Sequence, residues 1–247
     1  MDIVLPEWLV TLGNTLYWVC QVALLIPLWL AWQRRAYWTK PLQVLFWVLV
    51  VVETNCFLLA LPTLVRLFGF KTNPNLSTWP LFHLQSNFHG LGHLLVFYYA
   101  IHNKQICKVI RLLVPVLVAL ALLDSFYLNP FANYKPNTIT QVTESLIVLG
   151  LSIIYLEQLL VELPVSRVEH NPMFWVTIYT ILFFAGTLIM DILMNSLNID
   201  VHAASTRKYL MPVFGLVSSS VTLLSYVLLT WAYRNCGRQD ERVRVSY

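Results

Sequence analysis

The sequence predicts an all-α, polytopic integral membrane protein with seven transmembrane helices, its N-terminus outside and its C-terminus inside. Three observations predict this. Hydrophobic residues make up 58% of the 247-residue chain and charged ones only 11%, against roughly 25% charged in an ordinary soluble domain. With a mean hydropathy of +0.66, the chain has more apolar surface than a soluble core can use. The apolar residues gather in runs at 14–32, 42–68, 80–101, 107–128, 139–162, 172–197 and 208–232, each near or above the ~20 residues that cross the hydrocarbon layer. Lys and Arg fall between these runs with a sidedness that one topology explains.

The stretch before the first run, MDIVLPEWLVTLGN, carries acids but no Lys or Arg. It lacks the basic start of a cleaved signal, so the first span is expected to be retained, with Arg34 and Arg35 holding its inner end. The second run carries Glu53 near its middle. The third is the most polar, with His83, Gln85, Ser86, Asn87, His89 and His93, and loop charge decides its status. With it as a span, the inner side receives Arg34, Arg35, Lys40, Lys104, Lys108, Arg111, Arg167, Arg234, Arg238, Arg242 and Arg244, and the outer side only Arg66, Lys71, Lys135, Arg207 and Lys208. Without it, every later loop inverts and most positive charge moves outside, against the positive-inside tendency. The third run is therefore expected to span while facing other helices.

The fourth run ends near Asp124, and the fifth holds Glu144 in its outer third; both acids are expected to lie close enough to the interface to be solvated. Glu157 and Glu162 fall at the inner surface. The sixth run opens on Asn171-Pro172, a cap followed by a first-turn proline, and the seventh carries Ser218, Thr222 and Ser225, residues suited to helix contacts. Trp8, Trp32, Trp38, Trp79, Trp175 and Trp231 sit near run ends, where an amphipathic ring suits the headgroup region. Two outer loops, FKTNPNLSTWP and NPFANYKPNT, are turn-prone and long enough to form a lid. Residues 1–233 are expected to form one transmembrane domain and 234–247 a short cytoplasmic tail. Cys20 and Cys56 lie in spans and Cys107 and Cys236 near the inner face, with no CxxC pair, so neither a disulfide framework nor a Cys-ligated zinc site is indicated.

Chemistry is sought among the ionisable residues inside the spans, which cost ~2.5–3.5 kcal/mol each at the bilayer centre and should face the bundle interior. Gln85, His89 and His93 recur every four residues and share one helical face, as do Thr187, Asp191 and Asn195. With Glu53 and Glu144 they converge on the outer half of the bundle under the assigned topology. The expected ligand-binding set is Glu53, His89, His93, Glu144, Asp191 and Asn195. A carboxylate in a span needs a proton or a cationic partner such as a protonated His. His89 and His93 at i, i+4 are also a candidate pair for a divalent metal, with interhelical hydrogen bonding as the plainer alternative. A retinal Schiff base is not expected, since the only Lys near the seventh run is Lys208 at its entrance.

One resemblance enters at the sixth run. The stretch LPVSRVEHNPMFWVTIYTILFFAGTLIM, with Asn171-Pro172, Phe174-Trp175 and Phe183-Phe184-Ala185-Gly186, resembles a box of small seven-helix bacterial membrane proteins of unassigned function, over about 80–233. The resemblance implies a sensor or an accessory to histidine kinases. That family favours an acid in the third span, where this chain has His89 and His93, and it supplies no catalytic residue to transfer.

Three functions follow as expectations. The first is a receptor-like sensor or ligand-binding protein with a polar cavity in the outer half, signalling through a separate cytoplasmic or membrane partner. The alternative is an intramembrane enzyme, metal-dependent or acid/base, using His89 and His93 with Glu53 or Asp191. The third is a small-molecule or proton transporter, for which the chain offers no inverted repeat and no broken-helix pair. The expected setting is the inner (plasma) membrane, multi-pass, with the lipid bilayer and an oligomer as partners and no nucleic acid.

Overall fold

Backbone polar groups have no water to bond in a bilayer, so an apolar chain must satisfy them within helices. In the computed structural model, which describes residues 7–67, 79–130, 138–162, 168–196 and 211–237, all regular structure among the described residues is helical. The helices are α1 (Glu7–Ala23), α2 (Leu25–Gln33), α3 (Lys40–Leu67), α4 (Trp79–Ala100), α5 (Lys104–Leu123), α6 (Thr138–Glu162), α7 (Pro172–Ser196) and α8 (Met211–Asn235). Six are long and apolar enough to cross a membrane, with α1 and α2 counted as one. Burial agrees with that setting. Leu112 is 69% exposed and Val161 82%, while Glu53, Glu144 and Asp124 are 5%, 2% and 0% exposed, the reverse of what water selects and what lipid requires. The chain is a multi-pass membrane protein.

The predicted first span is broken. Pro27 has no N–H, and its ring crowds the carbonyl of residue 23, so α1 ends at Ala23 and α2 begins at Leu25. α4, with no charged side chain over 22 residues, reaches about 33 Å at 1.5 Å per residue. Its polar first half keeps it out of the apolar six. The ends follow capping chemistry: Asn103 accepts from the amides of Gln105 (2.9 Å) and Ile106 (3.4 Å) to start α5, and Asn171 accepts from Met173 N at 2.9 Å to start α7 on Pro172, as its sequence predicts. Residues 68–78 and 131–137, which hold most of the two loops expected to be outer, the entrance of the seventh run with Lys208, and the tail beyond Gly237 lie outside the described residues.

The helices fall into two units, residues 1–37 with 152–247, and residues 38–151. In the first, α8 is the common partner of α1, α2 and α7. Cys20 Sγ donates to Ser219 O at 3.2 Å, and Gly186 admits Val221, whose Cγ1 would lie 2.6 Å from an added Cβ. Arg34 Nη1 donates to Cys236 O at 2.7 Å, a cation on the last carbonyls of α8 where the helix dipole favours one. Gly237 then turns left-handed at φ 86° and closes on the Tyr37 ring, which only glycine does without strain. Trp175 Nε1 donates to Glu169 O at 2.7 Å, and its ring meets Trp231 edge-on at 6.1 Å.

In the second unit α3 and α4 pack antiparallel along most of their lengths. Val48 lies against Gly92, Gln85 Nε2 donates to Cys56 Sγ at 2.9 Å, and Asn55 Nδ2 donates to Leu81 O at 2.8 Å. α5 packs on α4 and ends in a π turn, Asp124–Leu128, before α6 begins.

Candidate functional site

Two tiers of buried polar groups run along α4 in the second unit. The tier near its start is fully satisfied. His83 Nδ1 lies 3.0 Å from Ser125 Oγ, and Asp124 accepts from Asn129 Nδ2 at 2.7 Å and from Thr140 N at 2.8 Å. Asp124 thus caps the first turn of α6 from a neighbouring element, where a carboxylate complements the helix N-terminus. The expectation that Asp124 and Glu144 are solvated is corrected here: both are buried, Asp124 because α6 needs the cap, Glu144 because its helix turns that face onto α4.

The second tier lies about two to three turns further along α4, roughly 9–15 Å at helical rise. The contacts of Val48 with Gly92 and Cys56 with Gln85 set a register that places Glu53 level with Asn87 and Phe88, one residue from His89. At 3.6 residues per turn, Glu53 and the His89–His93 pair turn to the same flank of the α3–α4 pair. Round the circumference of α4, away from α3, comes Gly90, and across it lies the Glu144 side chain. A Cβ on residue 90 would sit 2.6 Å from Glu144 Cδ and 3.0 Å from its Cβ. The two imidazoles therefore stand between the directions of the two carboxyls. Their rings meet edge-on, centroids 4.6 Å apart at 85°. His93 Nδ1 lies 2.9 Å from His89 O; a carbonyl only accepts, so Nδ1 carries the proton.

Unlike the first tier, this one is not satisfied. Glu53 Oε1 and Glu144 Oε1 are both buried without a hydrogen-bond partner among the described residues, at a cost of ~1–3 kcal/mol each. Four of the six sequence-predicted residues, Glu53, His89, His93 and Glu144, thus belong to one unit. Asp191 belongs to the other. There it leaves Oδ2 buried without a partner among the described residues, one turn beyond Thr187, whose hydroxyl bonds back to Phe184 O at 3.1 Å. Asn195 lies in α7, with a side chain outside the described set. No group of three or more His, Cys, Asp or Glu gathers as metal ligands among the described residues. The hydroxyls of Ser220, Ser225 and Thr230 bond back to their own helix, in keeping with packing roles.

Sequence reasoning missed Gly90, which seats Glu144, and the capping role of Asp124. The signal for the first was present in NFHGLGH, where two glycines in a polar span mark close helix approach. Comparison with protein-family models, curated proteins and solved structures gave no match.

Proposed function

We propose that the protein is a receptor-like membrane sensor that binds a small polar ligand at Glu53, His89, His93 and Glu144. One observation carries the reading: two buried carboxyl groups flanking an imidazole pair each keep an acceptor oxygen that no group among the described residues fills. Such a tier suits a ligand that brings N–H or O–H donors, and a positive charge on it would offset the carboxylates, since α4 carries no Lys or Arg. α4 serves as a seventh span in this reading, with the N-terminus outside, the C-terminus inside and the protein in the plasma membrane, as loop charge favours. The outer half of the bundle then holds the site, and a separate protein carries the signal on. The Asn171–Trp175 box, with its resemblance to sensor-like seven-helix proteins, fits the same role.

The test is a thermal-unfolding screen of the purified full chain with alkylammonium salts and polyols, followed by Glu53→Gln, Glu144→Gln and the double variant. A donor-bearing compound should stabilise the wild type and lose that effect in the double variant. Stabilisation that persists in the double variant, or none from any such compound, overturns the reading. Reporter fusions at residues 2, 75 and 240 test the topology, and 75 and 240 on the same side would refute seven spans.

A further inference from the structure

Between Glu53 and Asp124 the sequence contains no acidic residue, yet the junction of α4 and α5 collects cations. Lys104, Lys108 and Arg111 recur at i, i+4 and i+7 on the first two turns of α5, on one stripe of the helix, and all three are exposed. The patch is partly ordered by aromatic side chains. Arg111 Nη2 donates to Tyr98 OH at 2.5 Å with its guanidinium 5.5 Å from the Tyr98 ring centroid, and Lys40 Nζ stands 5.7 Å from the Tyr99 ring centroid. None of the four cations has an ion-pair partner among the described residues. Further along α5 the same stripe turns apolar, through Pro115, Ala119 and Leu122, with exposed Leu112 and Val116 beside it.

We propose that this stripe is a binding site for an anionic phospholipid, its phosphate held by Lys104, Lys108 and Arg111 and an acyl chain lying along Pro115, Ala119 and Leu122. Charge complementarity selects an anion, and a Tyr-ordered guanidinium suits a phosphate in particular. The apolar continuation selects a lipid over a soluble anion, because only a lipid presents a headgroup and a chain at that spacing along a spanning helix. The site is independent of the ligand tier and of which leaflet it meets.

The experiment compares the purified full chain in neutral detergent titrated with phosphatidylglycerol, phosphatidylcholine or inorganic phosphate, read by native mass spectrometry for retained lipid and by thermal unfolding. Phosphatidylglycerol should be retained and stabilise the protein, and the other two should not. A basic residue near a membrane surface is worth roughly five-fold in affinity, so Lys104→Gln/Lys108→Gln/Arg111→Gln should weaken phosphatidylglycerol binding on the order of 100-fold. Lys104→Arg/Lys108→Arg should retain it. Should the triple variant fail to fold, the single Lys108→Gln variant, with its expected loss of about five-fold, decides instead. Equal retention of phosphatidylcholine, an equal effect of inorganic phosphate, or unweakened binding by the neutralised variant overturns the proposal.

Discussion

Gly90→Ala moves one carboxyl group of the candidate site without changing any charge. The new methyl would lie 2.6 Å from Glu144 Cδ and 3.0 Å from Glu144 Cβ, well inside van der Waals contact, so the Glu144 side chain must swing away. Alanine in a helix interior gains up to ~1 kcal/mol over glycine, and overpacking costs ~1–3 kcal/mol. The single variant is therefore expected to lie between neutral and about 2 kcal/mol less stable. In a Glu144→Ala background the carboxyl is gone and only the 3.0 Å approach to the retained Cβ remains, so the same substitution should fall between neutral and stabilising by as much as ~1 kcal/mol. The assay is a double-mutant cycle on reversible unfolding in mixed micelles, with an expected coupling of at least ~1 kcal/mol. Gly92→Ala is the contrast. Its methyl meets Val48 Cγ2 and Cγ1 at 2.5 and 2.6 Å, and a β-branched side chain packed between two helices has no easy rotamer to take, so its penalty should be the same with or without Glu144. Refutation would be a Gly90→Ala effect that agrees in both backgrounds within the ~0.5 kcal/mol expected of independent sites. Glu144 would then not rest on Gly90.

Other outcomes are expected elsewhere in the chain. Asp124→Ala removes the acceptor for Thr140 N and Asn129 Nδ2 and should cost ~1–3 kcal/mol, with hydrogen exchange accelerated in the first turn of α6; unchanged protection there would refute the capping role. Asp191→Asn keeps size and hydrogen-bonding capacity, so it should leave thermal stability near normal; destabilisation as large as that of Asp191→Leu would make the acid structural. Cys236, just beyond α8, is 1% exposed, and burial pushes its thiol up to about 12 against the opposing charge of Arg34. Maleimide labelling at pH 8 should therefore be slow at Cys236, and labelling as fast as at an introduced surface cysteine would show that the end of α8 is open.

The helices were legible because lipid imposes one solution on apolar runs of about 20 residues, and the ends were legible where Asn103 and Asn171 supply caps. The break between α1 and α2 was signalled by Pro27 but hidden by hydropathy, which averages over the very residue that interrupts the ladder. For the site, period alone brought His89 and His93 to one face, because i, i+4 is a property of a single helix. What period could not supply was the relation between helices. Glu144 looked solvated from its distance to the end of its run, yet depth along a span says nothing about the direction in which a side chain turns. Two glycines in α4 decide that here. Gly92 draws α3 in through Val48, which brings Glu53 level with the imidazoles, and Gly90 gives Glu144 a place against the backbone of the same helix. A side chain at residue 90 would leave the four residues on the same three helices while displacing the Glu144 carboxyl from the tier. The residues that make the candidate site were therefore readable as types, but the absence of a side chain at one position decides how Glu144 sits among them.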